Sequence, residues 1–397
     1  MSAVFIFSLT LIATSLLSSL AQRSVLSTAV VFLAVGFLTG PGMGGWIPFD
    51  ANSRAVSIFA ELALFAILYT EGMQLDVDSL RRYWRLPLRA IVLGMPLTIL
   101  VIAVFAHYLA GLTWLQAGLL GAILSPTDPV FASALTSKPE VPARLRHFLN
   151  IESGLNDGLA LPAVLLLLSL AQGRHENLLV DGAELAGGVA IGTIVAWLAV
   201  ALRRIPFLSL VSVYERIYAF AIALLIYSLA SLTGGNLFLA AFNGGICVAT
   251  LAPEVKREFC PLGEPIAELL KLAGVMAFGA MISPQLLGDI AWPGYAFALA
   301  AVLVARPLAV GLLLVFSRMP WKETLTALWF GPKGFASLLY AYWVLRADID
   351  GAEQIFRLAG VTIGLSIAHS STDVLVARVF DSSSAATSDR TQAHQTA

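Results

Sequence analysis

Apolar stretches long enough to cross about 30 Å of hydrocarbon recur along this 397-residue chain from Val4 to Val379. Lipid offers no partner to an exposed backbone amide or carbonyl, so a chain built this way has to span as helices. The expected fold class is therefore an all-α polytopic membrane protein. The stretches are read as thirteen spans. The first six run near Val4 to Leu20, Val25 to Thr39, Ala55 to Thr70, Leu86 to Leu109, Thr113 to Thr136 and Phe148 to Ala171. The other seven run near Val180 to Leu202, Ile217 to Leu232, Leu237 to Leu251, Pro265 to Ile282, Pro293 to Phe316, Thr324 to Val344 and Ile355 to Val379. Composition agrees, with 58% hydrophobic and 12% charged residues and a mean hydropathy of +0.84, outside the range of soluble globular domains.

The first stretch has no basic residues before it, and Arg23 follows it, so it is expected to be a retained helix rather than a signal peptide. Basic residues fall in alternate loops: Arg23, then Arg81, Arg82 and Arg85, then Lys138, Arg144 and Arg146, then Arg203 and Arg204, then Lys256 and Arg257, then Arg318 and Lys322, then Arg378. The opposite loops hold little beyond Arg54, Arg174 and Arg346. The positive-inside rule then places the N-terminus outside and the C-terminus in the cytoplasm, which needs an odd number of spans. The net charge of −1 says nothing about partners, and no nucleic-acid partner is expected. Cys247 and Cys260 lack metal-ligand spacing and are expected to be inert thiols. Residues 381–397, rich in Ser, Thr and Ala, are expected to form a short disordered tail after a single transmembrane domain over residues 1–380.

Two spans should be broken at membrane depth. Pro126 and Pro129 flank Asp128 in the fifth, and Gly331-Pro332-Lys333-Gly334 sits inside the twelfth. Proline removes a donor and clashes with the preceding turn, and unwound backbone is tolerated in a membrane only beside a cavity or other protein. Two interrupted segments, each second in a group of three spans, point to inverted repeats with a site at the midplane. Spans four to six and eleven to thirteen would form that pair. Pro87, Pro96 and Pro307 are expected only to begin or kink helices.

Carboxylates inside the membrane carry the functional signal. Asp128 and Asp157 each cost roughly 2.5 to 3.5 kcal/mol to insert, and such residues normally mark an ion or proton pathway. On the sixth span Glu152 and Asn156 are four residues apart, as are Ser153 and Asp157, so the pairs make one polar stripe on an apolar helix. Asp157, Ser153, Thr127 and carbonyls freed around Thr127 and Asp128 are hard oxygen donors suited to a bare alkali cation. A desolvated carboxylate gains proton affinity and a nearby cation lowers it, so sodium and a proton can compete for Asp157. Asn156 cannot titrate. Glu152 requires a counter-charge, expected from Lys333 or Arg306. Asp128 could instead cap a half-helix N-terminus. Glu61 and Glu71, near span ends, are expected to be interfacial, and His107, His147 and His369 are isolated.

At these residues the chain resembles the monovalent cation:proton antiporters of the NhaP/NHE type. The resemblance rests on Ser125-Pro-Thr-Asp-Pro129, Glu152-Ser-Gly-Leu-Asn-Asp-Gly158, Ala305-Arg-Pro307, Gly331-Pro-Lys-Gly334 and His369-Ser-Ser, and it covers essentially the whole chain. It implies a homodimer with a mobile core, within residues 86–172 and 293–380, and a dimerisation scaffold, within 4–72 and 180–285. It also implies that Asp157 carries the cation and the proton, with Thr127, Ser153, Glu152 and Asp128 completing the cation site and Asn156, Lys333 and Arg306 supporting it. Sodium would sit at Asp157, Ser153 and Thr127. Electrogenic relatives carry two aspartates where this chain has Asn156-Asp157, which implies one-for-one electroneutral exchange. The family usually has arginine where Lys333 stands. No cofactor is expected, since Na+ or Li+ and H+ are cargo. Potassium/proton exchange on the same ligands, a channel, and an intramembrane aspartyl protease using Asp128 and Asp157 are the competing readings.

Overall fold

The computed structural model describes residues 2–17, 27–47, 53–75, 88–128, 141–173, 178–205, 212–315 and 319–372, together with Val376 and Phe380. The predicted tail and residues 137–140 of the Lys138 loop lie outside the described residues, as do Pro87 and the half of span five beyond Asp128.

Each predicted span contains helix, interrupted in the fifth and twelfth, and no strand occurs among the described residues. In order these are α1 (Ser2–Leu16), α2 (Thr28–Thr39), α3 (Arg54–Gln74), α4 (Met95–Ala110), α5 (Trp114–Leu124), α6 (Ala143–Ala171), α7 (Leu178–Arg203), α8 (Ser212–Thr233), α9 (Leu237–Leu251) and α10 (Pro253–Met281). They continue as α11 (Trp292–Leu303), α12 (Ala305–Leu314), α13 (Trp321–Trp329), α14 (Phe335–Arg346) and α15 (Ala352–Ser370). A short helix, Pro284–Gly288, precedes α11. Among the described residues six helical stretches are long and apolar enough to cross a membrane outright, and α1, α2, α5 and α9 are shorter apolar helices.

Local chemistry sets the ends. Gly111, in the left-handed region at φ 70°, closes α4. Thr113 then opens α5 with a reciprocal capping box to Gln116, which satisfies two orphan donors at once. Pro96 begins α4 behind a π-helical turn, Ala90–Gly94, and Pro307 follows the kink at Val304 that separates α11 from α12. Both prolines thus act as expected, because each lacks the amide that would continue the preceding turn.

The helices sort into two packed groups. In the first, α9 packs against α3, α7 and α8, while α10 packs against α2, α3 and α8. The α3–α9 contact is backbone on backbone: a Cβ added to Gly72 would strike the carbonyl of Phe242, and one added to Gly245 would strike that of Tyr69. Without a hydrophobic drive between helices in lipid, such close approach of small residues is the main source of attraction. In the second group, α5 packs on α4, α6, α14 and α15, and α11 and α12 pack on α4. The groups meet chiefly where α6 and α14 face α3, α9 and α10.

Candidate functional site

The site forms where the two broken spans meet. α5 ends at Leu124, Ser125 to Asp128 are unwound, and Phe330 to Gly334 separate α13 from α14. Backbone groups freed by one break are satisfied by the other: the Asp128 amide donates to the Pro332 carbonyl at 3.0 Å. Asp128 Oδ2 accepts the Phe335 amide at 3.4 Å, which caps the first turn of α14 and places a negative charge at its positive end. Asp128 therefore caps the opposite half-helix. Its other oxygen, Oδ1, lies 3.4 Å from Lys271 Nζ. Asp128, expected among the cation ligands, has both carboxylate oxygens engaged in this conformation.

α6 carries the rest of the site past these breaks. Glu152, Ser153, Asn156 and Asp157 are all buried, as the polar stripe requires. Thr127 Oγ1 and Ser153 Oγ are 3.2 Å apart, so the unwound segment and α6 present two hydroxyls side by side. Asn156 Nδ2 donates to the Ser125 carbonyl at 3.3 Å and to Thr127 Oγ1 at 3.5 Å. The amide thus pins the break to the helix, a role a carboxylate in its place could not fill. Pro162, inside α6, leaves the carbonyl of Gly158 without its helical donor one residue beyond Asp157.

Asp157 is 2% exposed. Its Oδ1 and the Oδ1 of Asn156 are buried without a hydrogen-bond partner among the described residues. Tyr340, from α14, donates to the backbone carbonyl of Asp157 at 2.9 Å and holds α6 against the second broken span. An orphaned carboxylate oxygen in so dry a place is costly, and a proton or a cation is what would relieve it.

Glu152 is not balanced by Lys333. Arg306 takes both of its oxygens, through Nη1 at 2.8 Å and Nη2 at 2.6 Å, and also donates from Nε to the Ala327 carbonyl at 3.1 Å. The bidentate fork suits a planar carboxylate in a way a lysine cannot match. With both oxygens taken, Glu152 here orients Arg306 rather than facing a cation. Lys333 is buried within electrostatic reach of both residues, and among the described residues its ammonium makes no ion pair with Glu152. Its backbone amide donates to Ser366 Oγ at 2.8 Å. A space of about 10 Å³, room for at most one water, separates Ser125, Glu152, Asn156, Arg306 and Lys333.

Glu71 departs from its expected interfacial place. It is 6% exposed and accepts from Lys271 Nζ at 2.8 Å, while its Oε2 has no partner among the described residues. Glu61 accepts instead from the Tyr227 hydroxyl at 2.9 Å. Lys271 was accessible to sequence reasoning, since a lysine within Leu269-Leu-Lys-Leu-Ala273 violates the same membrane rule that singles out Asp157. Asp157, Glu71, Asp128 and Lys271 act on one another electrostatically as one buried cluster.

Crossed, unwound helices around a buried carboxylate are the geometry of the inverted-repeat, broken-helix class of membrane protein. The fold is similar to that of the sodium proton antiporter MjNhaP1 from Methanocaldococcus jannaschii, with a TM-score of 0.79 and 22% identity over 94% of this chain and 97% of that one. The sodium/hydrogen exchanger transmembrane family model matches residues 7–377, and the chain belongs to that family. Among its relatives are the K(+)/H(+) antiporter NhaP2 of Shewanella sp. (strain ANA-3), 28% identical over 362 residues, and the K(+)/H(+) antiporter NhaP of Alkalimonas amylolytica, 29% identical over 352. These matches cover 89% and 85% of this chain but 62% and 59% of those proteins, so the chain spans about three-fifths of their length.

Proposed function

We propose that the chain is a secondary monovalent cation/proton antiporter in which Asp157 binds a cation or a proton in turn. The observation that carries this reading is the dry carboxylate with an orphaned oxygen at the crossing of two broken helices, beside the Thr127 and Ser153 hydroxyls. Those hydroxyls, Asp157 and the Asn156 carbonyl oxygen supply hard donors for a desolvated alkali cation. Sodium is the first reading, in line with the activity named for the structural neighbour. Potassium is the second, favoured by the activity named for the Shewanella and Alkalimonas relatives. Exchange of one cation for one proton follows from a single titrating carboxylate in the Asn156-Asp157 pair.

The two helix groups support alternating access, with α4 to α6 and α11 to α15 moving against the rest. We place the N-terminus outside and the C-terminus in the cytoplasm on the basic residues of alternate loops. A homodimer through the first helix group completes the reading. An aspartyl protease is disfavoured because Asp128 is tied to Lys271 and the α14 amide, away from any shared proton with Asp157.

Reconstitution with separate sodium, lithium and potassium gradients and an internal pH dye tests all of this together. Proton movement driven by one of these gradients is expected. Cation flux indifferent to an opposing proton gradient would mean a channel.

A further inference from the structure

Lys271 belongs to α10, in the first helix group, yet its ammonium reaches Asp128 at the break that closes α5 in the second. It lies 2.8 Å from Glu71 Oε1 and 3.4 Å from Asp128 Oδ1, with a side chain 6% exposed. Asp157 adds its charge to the same cluster. The ammonium thus rests on two of the three carboxylates that act on it, in the kind of position a bare monovalent cation would seek.

The approach to this place is open from one side. A cavity of about 340 Å³ is lined by Thr70, Glu71, Gln74, Glu264, Glu268 and Lys271, and the buried, unpartnered Oε2 of Glu71 belongs to this lining residue. Glu264, Glu268 and the Lys271 ammonium share this cavity's wall. Glu71 also has more accepting capacity than one ammonium uses. Neither a helix end nor an acidic patch explains why a lysine bridges two bodies that must separate during transport.

We propose that Lys271 is a tethered competitor for the transported cation: its ammonium occupies Glu71 and Asp128 when the site holds no ion, and gives up Asp128 when a cation binds. The inference rests on the exchange reading above. It makes Lys271 a positioning residue that sets cation affinity and clasps the two helix groups in the ion-free protein. Its fixed charge, and not its titration, does this.

The test is the half-saturating cation concentration of wild type, Lys271→Met, Lys271→Gln and Lys271→Arg in proteoliposomes, at one alkaline pH and constant ionic strength, with sodium and with potassium. Loss of a positive charge beside the site is expected to lower half-saturation about tenfold in the Met and Gln variants. The Lys271→Arg variant, which keeps the charge, is expected to stay near wild type. An unchanged or raised half-saturation in a folded neutral variant would overturn the proposal and leave Lys271 as a static ion pair.

If neither neutral variant folds, solid-state ¹⁵N spectra of the wild type decide it. The Lys271 Nζ resonance, assigned by its loss in Lys271→Arg, is expected to shift on saturation with the transported cation, and a resonance that stays put overturns the proposal. Wild-type vesicles without any coupled exchange would bring down the antiport reading instead.

Discussion

The Asp128 amide donates to the Pro332 carbonyl at 3.0 Å, so the two broken spans are joined directly through backbone as well as through the Asp128 carboxylate. Each break would otherwise leave orphan polar groups in a membrane, where every one costs several kcal/mol. Mutual satisfaction ties the two breaks to one another. It also brings Thr127 and Asp128 to α6, where Ser153 and Asp157 wait.

That crossing depends on a missing side chain. A Cβ on Gly334 would collide with the Cβ and carboxylate of Asp128. Gly334→Ala is therefore expected to destabilise the protein by about 1–3 kcal/mol, the usual range for overpacking a dense interior. Thermal unfolding in detergent measures the loss. Exchange should fall further than stability does, because the Asp128 cap on α14 moves with it. A variant with wild-type melting temperature and rate would refute the tight crossing.

Arg306 and Glu152 form the bidentate pair, so removal of either partner leaves a buried charge uncompensated at a cost of about 3–5 kcal/mol. Glu152→Gln and Arg306→Met are expected to be strongly coupled in a double-mutant cycle, whereas Glu152→Gln and Lys333→Ala should be close to additive. Equal coupling in the two cycles would mean that Lys333 shares Glu152 after all.

Asp157→Asn is expected to abolish exchange in proteoliposomes while the protein still folds, since the amide keeps the shape and can neither titrate nor carry charge. Thr127→Ala and Ser153→Ala should keep exchange but raise the half-saturating cation concentration, because each removes one hydroxyl of the 3.2 Å pair and spares the carboxylate. Residual coupled transport in Asp157→Asn, measured with a pH dye, would move the carrier role elsewhere.

Much of this architecture is legible in sequence because the membrane imposes harsh local rules. A proline beside an aspartate in an apolar stretch has few meanings, and Pro126 and Pro332 mark the breaks that the structure contains. The i,i+4 spacing on α6 likewise brings Ser153 and Asp157 to one face. What the sequence withholds is pairing across elements. Whether Arg306 or Lys333 answers Glu152 depends on how the kinked α11–α12 segment is turned, and no local pattern reports that. Glu71 reads as interfacial because it lies near the end of its apolar stretch, yet α10 covers it with Lys271. Asp128 shows the same limit, for its spacing predicts a cap but cannot say that the capped helix is some two hundred residues away.

Under the exchange reading a proton and a cation use the same Asp157 carboxylate, so protonation removes the only form to which the cation binds. Well above the pH at which Asp157 takes its proton, half-saturation is expected to be constant. Below that pH it should rise about tenfold for each unit of acidification, because the proton concentration multiplies the apparent constant directly. High cation concentration should then restore the rate at mildly acid pH, up to the point where the fold itself fails. One cation for one proton moves no net charge, so an imposed membrane potential should leave the rate unchanged. Transport assays at several pH values, each with a full cation titration, read both effects. A half-saturation value constant across the whole acid limb would show that the two cargoes use different groups. Voltage dependence with competition intact would preserve Asp157 as the carrier and point to Lys333 as a second titrating group, since lysine, unlike arginine, can release its proton when buried.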